Sequence, residues 1–255
     1  MFINKKVIAG ERKIPTLSEC SGKIYTLRLA QQRLIAQENV PSEMAGLNDW
    51  FTRYEHPVVT AAHIPVEWTH LLDPRRNPFG DPTLGVNGVF NVGAVEESGK
   101  IYLICRVEGY DRKSFFAVAE SRTGIDGFHF IGGPLVIPVL NNKETNHYDM
   151  RITKHEDGLY YGVFCVESKD EKDPDLSAAE AQAGIIRFKS IRGLLEGEIA
   201  RLPNLKTPSP QQRNVVLHPE FVNDGWAFYT RPQDGFISTG SGGGIGFGVV
   251  EATHD

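Results

Sequence analysis

Within residues 26–37 (TLRLAQQRLIAQ), apolar Leu27, Leu29, Ala30, Leu34 and Ile35 recur at roughly helical spacing between basic and amide residues. The pattern predicts one or two helices over 17–38, closed by Pro41, whose ring cannot continue a helix. An isolated amphipathic helix must bury its apolar face somewhere. It either covers the end of the domain that follows or meets another subunit. After Trp50 the period changes to short strands and turns. Three stretches resemble one another: 95–108 (VEESGKIYLICRVE), 154–167 (KHEDGLYYGVFCVE) and 222–231 (VNDGWAFYTR). Each reads as a strand, a turn carrying Gly99, Gly158 or Gly225, and a second strand rich in aromatic and β-branched residues. Ser-Gly and Asp-Gly at those turns signal hairpins, because tight hairpin turns need positive φ. A third strand is predicted after each hairpin, at 115–121, 183–189 and 244–250, and a fourth at 128–131 and 199–202 after the first two.

A repeating four-stranded antiparallel unit has the form of a β-propeller blade. The expected fold is therefore all-β, with a helical extension over 1–48 and a partial propeller of about three blades over 49–255. The blades begin near Phe90, Tyr148 and Val215, and the third reaches Asp255 before a fourth strand. Propellers normally close with at least four blades, so the pattern predicts a chain shortened at its C-terminal end.

Composition narrows the classes. In 255 residues, 40% are hydrophobic and 23% charged, which excludes wholesale disorder. The 26 Gly and 15 Pro, with few long helical patterns, agree with an all-β chain. With 27 basic and 32 acidic residues the net charge is -5, against a nucleic-acid binder but not against a local basic pocket for one small anion. No apolar run is long enough to span a bilayer, and the opening MFINKK has no apolar segment of the secretory kind. Cys20, Cys105 and Cys165 form an odd set without CxxC spacing, which fits reduced thiols and a cytoplasmic protein.

The candidate chemistry lies at strand ends, in RVEGYDRK (106–113), NHYDMR (146–151), QQRNVVLHPE (211–220) and TRPQDG (230–235). Charged groups there adjoin apolar strand residues, and desolvating them is costly without a ligand or partner. The bland reading is a set of ion pairs between blades; the sharper one is a shared central pocket. His218-x-Glu220 is a weak metal signal, and no HExxH or Cys/His ligand set accompanies it. Ser241-Gly-Gly-Gly244 lacks the GK[ST] ending of a phosphate loop, and no GxSxG elbow occurs.

These clusters sit in longer blocks, TRYEHPVVTAAHIPVEW (52–68), RVEGYDRKSFFAVAES (106–121), NHYDMRITKHEDG (146–158), LKTPSPQQRNVVLHPEF (205–221) and YTRPQDGF (229–236). Together they resemble glycoside hydrolase family 130, and within it the branch acting on 4-O-β-D-mannosyl-D-glucose. The resemblance implies a five-bladed propeller with its active site on the central axis. It implies inverting phosphorolysis, in which phosphate attacks the anomeric carbon and mannose 1-phosphate and glucose leave. An ordinary inverting glycosidase needs an acid and a base. Phosphate arrives already anionic, so one carboxylic acid suffices.

By the same resemblance Asp149 is the proton donor, acting through the mannose 3-hydroxyl, and burial is expected to raise its pKa so that it can serve as an acid near pH 7. Arg106, Asp111 and Arg112 are expected on the sugar, with Arg151 (its guanidinium turned away from Asp149), Arg231 and Asp234 completing the substrate wall. Lys206, Arg213, Asn214 and His218 are expected on phosphate or nearby hydroxyls, since arginine offers the planar fork that phosphate oxygens favour. For His218 a purely structural role beside Pro219 is as well supported. No metal or organic cofactor is implied, only phosphate as co-substrate. Where relatives carry an arginine after Cys-x-Glu, this chain has Ser168 and then Lys169. Phosphorolysis or hydrolysis of other β-mannosides, such as β-1,4-mannooligosaccharides, is the alternative within the class. An inactive, shortened sugar-binding chain is the alternative outside it.

Overall fold

The computed structural model describes residues 17–42, 51–69, 85–169, 180–205, 211–232 and 244–251. After helix α1 (Leu17–Ile35) and two 3-10 turns (Ala61–His63 and Val66–Trp68) come three antiparallel meanders in chain order. The first is β1 (Val86–Glu97), β2 (Lys100–Gly109), β3 (Ser114–Ser121) and β4 (His129–Leu135). The second is β5 (Glu144–Lys154), β6 (Tyr160–Ser168), β7 (Glu180–Phe188) and β8 (Ala200–Leu205), with the short helix α2 (Ile191–Glu196) between its last two strands. Strands β9 (Val216–Val222), β10 (Gly225–Thr230) and β11 (Gly246–Glu251) make the third. The strands expected from the sequence are all present, so the described chain is mostly β.

The three sheets stack through alternate faces of the middle one, as the two-residue period of a strand requires. On β6, Tyr160, Phe164 and Val166 face the first sheet, packing with Tyr102, Ile104, Phe116 and Val118. Tyr161 and Val163 face the third sheet, packing with Val215, Leu217 and Phe228. Each fully buried aromatic or branched side chain contributes about 1.5–3 kcal/mol, so these two interfaces dominate stability. The first strands of the sheets are neighbours: β5 touches both β1 and β9. Thr153 Oγ1 of β5 donates to the Leu217 carbonyl of β9 at 3.0 Å. Strand-end residues from all three sheets are thereby drawn toward one side.

One of the three hairpins turns at a different pair from the sequence reading, while Gly158 stands in the second turn at φ 83°. Ser98 and Gly99 do form a tight turn, with φ of 54° and 74°. The second connection is a longer loop, in which His155 N donates to the Leu159 carbonyl at 2.9 Å. The third turn is at Asn223-Asp224 (φ 51° and 59°) rather than Asp224-Gly225, because Asn and Asp also tolerate the left-handed region. Gly225 instead opens β10, where a Cβ would stand 2.6 Å from the Val250 carbonyl oxygen.

The helical extension is held by few contacts. Gln31 Nε2 donates to the carbonyls of His63 (2.9 Å) and Ile64 (2.7 Å), and Arg28 pairs with Glu67. Ile64 and Trp68 carry the attachment into the first sheet, against Val107, Phe115, Ala117 and Phe130. Tyr25, Leu27 and Leu29 of α1 remain exposed. Among the described residues no helix is long and apolar enough to cross a membrane.

Candidate active site

The pairing of β5 with β6 runs through Tyr148↔Cys165 and resumes at Arg151↔Val163, so β5 carries one extra residue there. Asp149 sits in this bulge with φ 58°. Consecutive residues of a regular strand point to opposite faces, and a bulge re-aims one of them. Here both Tyr148 and Asp149 reach Arg106 of β2. Asp149 Oδ1 accepts from Arg106 Nη1 at 3.0 Å, and the Arg106 guanidinium lies 4.6 Å from the Tyr148 ring centroid.

Arg106 Nη2 donates to Glu108 and its Nε to Ser114 Oγ at 3.0 Å. Each of the three Arg106 nitrogens donates one of these bonds, which leaves one N–H on each Nη. Burial pulls its pKa down, but hydrogen bonding and charge from Asp149, then Glu108, outweigh that and hold it above the usual arginine value. A fixed cation thus stands between two buried carboxylates. Glu108 also accepts from Asn87 Nδ2 at 3.1 Å and lies 3.7 Å from Arg112 Nε. The Arg112 side chain is otherwise exposed, and its backbone holds φ 65°. Asp111 Oδ1 accepts from the Lys113 amide at 3.0 Å, stabilising the loop that presents Arg112. Past Ser114 a cleft of about 480 Å³ opens, with Lys113 and Asn146 among its polar residues and Phe115 and Phe116 in its wall.

A second group adjoins the first through Tyr148. Its hydroxyl donates to Glu167 Oε1 at 2.8 Å, and Arg213 Nη2 lies 3.8 Å from the same oxygen. The Arg213 guanidinium is 5.9 Å from the Tyr148 ring centroid. Burial, followed by Cys165 and Glu167, pushes the Tyr148 hydroxyl well up, so it stays a proton donor to Glu167. Backbone bonds fix the 211–214 segment: Gln212 N donates to the Ala181 carbonyl at 2.6 Å and Arg213 N to the Arg231 carbonyl at 3.5 Å. Gln212 Oε1, Arg213 Nε and Asn214 Oδ1 are all buried without a hydrogen-bond partner. Buried polar atoms are rarely left unsatisfied, and among the described residues His155 Nε2, Arg201 Nε and Trp226 Nε1 are in the same state, so of the three atoms at 212–214 only Arg213 Nε, a donor beside Glu167, bears on an anion.

The described contacts therefore join Arg106 of the first sheet, Asp149 of the second, Arg112 of the loop after β2 and Arg213 of the segment before β9 in one network, with Arg231 attached through its carbonyl. Arg151 donates from Nη1 to the Val92 carbonyl at 3.1 Å, away from Asp149. His218 Nδ1 accepts from the Glu220 amide at 3.1 Å and its ring lies 6.0 Å from that of Tyr229. Lys206 and Asp234 lie outside the described residues. Strand β6 pairs with β7 without irregularity to Ser168↔Glu180, so no bulge there carries Lys169 onto the face of Ser168. Among the described residues no three His, Cys, Asp or Glu side chains gather as a metal centre would need. Sequence reasoning passed over Glu108, Tyr148 and Glu167 as site residues. A signal existed: the repeated blocks 95–108 and 154–167 both end in Val-Glu.

No family model matches the chain. Over 241 residues it is 50% identical to 4-O-β-D-mannosyl-D-glucose phosphorylase of Bacteroides fragilis, an alignment covering 93% of this chain. The chain is similar to a mannoside phosphorylase. The resemblance drawn from the sequence blocks is thereby borne out. The chain spans 60% of the length of that relative. Solved structures resemble it more distantly. One comes from the GH130 family of mannoside phosphorylases containing glycoside hydrolases that target β-1,2 mannosidic linkages in Candida mannan. It has 15% identity and a TM-score of 0.44, covering 56% of this chain and 43% of that one. A thermostable family-43 glycoside hydrolase has 15% identity and a TM-score of 0.46, covering 64% and 51%.

Proposed function

We propose that this chain belongs to glycoside hydrolase family 130 and carries much of the active site of an inverting β-mannoside phosphorylase built on a five-bladed propeller. Its reaction is phosphorolysis of 4-O-β-D-mannosyl-D-glucose to mannose 1-phosphate and glucose. The observation carrying the reading is the buried Asp149–Arg106 pair one aromatic ring away from Arg213, whose Nε has no hydrogen-bond partner among the described residues.

Asp149, a carboxylate paired with Arg106 in this structure, acts as proton donor in the form of the protein in which it has taken up a proton. As the proton passes to the glycosidic oxygen through the mannose 3-hydroxyl, Arg106 neutralises the carboxylate left behind, in a bond of the charge-assisted kind. Arg106, Asp111, Arg112, Arg151, Arg231 and Asp234 hold substrate hydroxyls. Lys206, Arg213, Asn214 and His218 receive phosphate, which forms the new bond to the anomeric carbon as the glycosidic bond breaks. The site uses no metal or organic cofactor. The protein works in the cytoplasm, a location supported by an odd set of three cysteines without CxxC spacing. Exposed Tyr25, Leu27 and Leu29 support a subunit contact through α1.

The test follows mannose 1-phosphate release from 4-O-β-D-mannosyl-D-glucose as phosphate is varied, with Arg213→Ala beside the parent. Saturable phosphate dependence, weakened in Arg213→Ala more for phosphate than for disaccharide, is the expected result. Free mannose released equally with and without phosphate means a hydrolase, and sugar binding without turnover means a binding protein.

A further inference from the structure

Glu167 places a carboxylate beside the guanidinium that the proposed function assigns to phosphate. An anion site built only for charge would exclude it. Among the described residues both of its contacts fall on Oε1, from the Tyr148 hydroxyl at 2.8 Å and from Arg213 Nη2 at 3.8 Å. Among the described residues none donates a hydrogen bond to Oε2. The side chain is 26% exposed, open enough to meet a ligand that reaches Arg213. Tyr148 is itself buried and its hydroxyl held protonated, so Glu167 is fixed in place as an acceptor.

A carboxylate accepts hydrogen bonds and donates none. Toward an anion without a proton it offers only repulsion. Toward an anion that carries its own hydroxyl it offers a charge-assisted bond, while the remaining oxygens stay available to the Arg213 guanidinium, whose Nε has no hydrogen-bond partner among the described residues. Near neutral pH phosphate and arsenate carry at least one proton, and sulfate carries none. We propose that Glu167 is a specificity-determining residue of the anion site, accepting the hydrogen bond of the phosphate hydroxyl and so selecting protonated oxyanions over sulfate. This rests on the assignment of Arg213 to phosphate. Discrimination of this kind combines an attractive contact for one ligand with a repulsive one for its competitor.

The experiment is titration calorimetry of the 255-residue protein with sodium phosphate, sodium arsenate and sodium sulfate at constant ionic strength and pH 7.5. Phosphate and arsenate should bind alike and sulfate ~10- to 100-fold more weakly, the range given by a hydrogen bond to a charged group. Glu167→Gln keeps a carbonyl for the Tyr148 hydroxyl and offers the anion an N–H, so the phosphate-to-sulfate ratio should fall by about 10-fold or more. An unchanged ratio in Glu167→Gln, with phosphate still bound, overturns the role of Glu167 and leaves the phosphate site standing. If that variant does not fold, the parent protein decides alone: sulfate bound as tightly as phosphate overturns the proposal. Absence of phosphate binding by the parent overturns the assignment of Arg213 and this inference together.

Discussion

Asp149 and Arg106 belong to different sheets, yet the carboxylate accepts from the guanidinium at 3.0 Å because a single extra residue in β5 turns Asp149 toward β2. Asn is the informative replacement. It tolerates a φ of 58°, and its carbonyl can still accept from Arg106, but it has no proton to deliver. Loss of general-acid assistance typically costs ~10²–10⁴ in rate. Asp149→Asn should lower mannose 1-phosphate formation by that factor while disaccharide binding, read by calorimetry, persists.

The same pair governs stability. Arg106→Leu leaves Asp149 and Glu108, both buried, without their common cation. Breaking a buried ion pair from one side costs about 3–5 kcal/mol. A fall of that size in unfolding free energy, measured with urea, is expected for Arg106→Leu. Part of it should return in the double variant Arg106→Leu/Glu108→Gln, which removes one of the stranded charges.

What could be read from the sequence was what repeats or alternates. The three meanders, the Ser98-Gly99 turn and the strand-end clusters follow from local pattern. The bulge at Asp149 does not, because it depends on β6 pairing across from it rather than on the residues of β5. Glu167 escaped notice for a related reason, since it acts through Arg213 in another segment; Glu108 pairs with Arg106 two positions away on its own strand, and its place in the site shows only once Asp149 of the second sheet is seen on the same guanidinium. The third turn moved by one residue because Gly225 is needed where β11 crowds it, leaving Asn223 and Asp224 to make the reversal.

Acid should loosen the interface between the first two sheets. His147 packs at 5.1 Å from the Phe164 ring, with Nε2 3.0 Å from Glu144 and Arg201 nearby. Burial lowers its pKa below 6.5, more than Glu144 raises it, and Arg201 adds to the lowering. The unfolded chain therefore takes up the proton first as pH falls. The stability tied to a neutral His147 is present above pH 6.5 and is lost as pH drops toward the folded pKa. His63, lowered by burial as well, acts in the same direction. Urea midpoints should fall between pH 7.5 and pH 5. His147→Asn should flatten that slope without abolishing it, and an unaltered slope would exclude His147 as a contributor.

The approach of the first two sheets hinges on Gly93. A Cβ at this position would stand 2.8 Å from the Met150 carbonyl oxygen and 3.0 Å from the Ile152 amide nitrogen, both backbone atoms that no rotamer change can move. Met150 and Ile152 follow directly on the bulge that aims Asp149, so β1 cannot yield there without displacing the acid from Arg106. Overpacking of a tight interior costs typically about 1–3 kcal/mol. Gly93→Ala should therefore lower the urea midpoint by an equivalent amount and also reduce mannose 1-phosphate formation. Gly133, with open space around its own Cβ position, is the control: Gly133→Ala should change neither. Equal behaviour of the two variants would mean that β1 and β5 are not in the close contact that sets the geometry of the site.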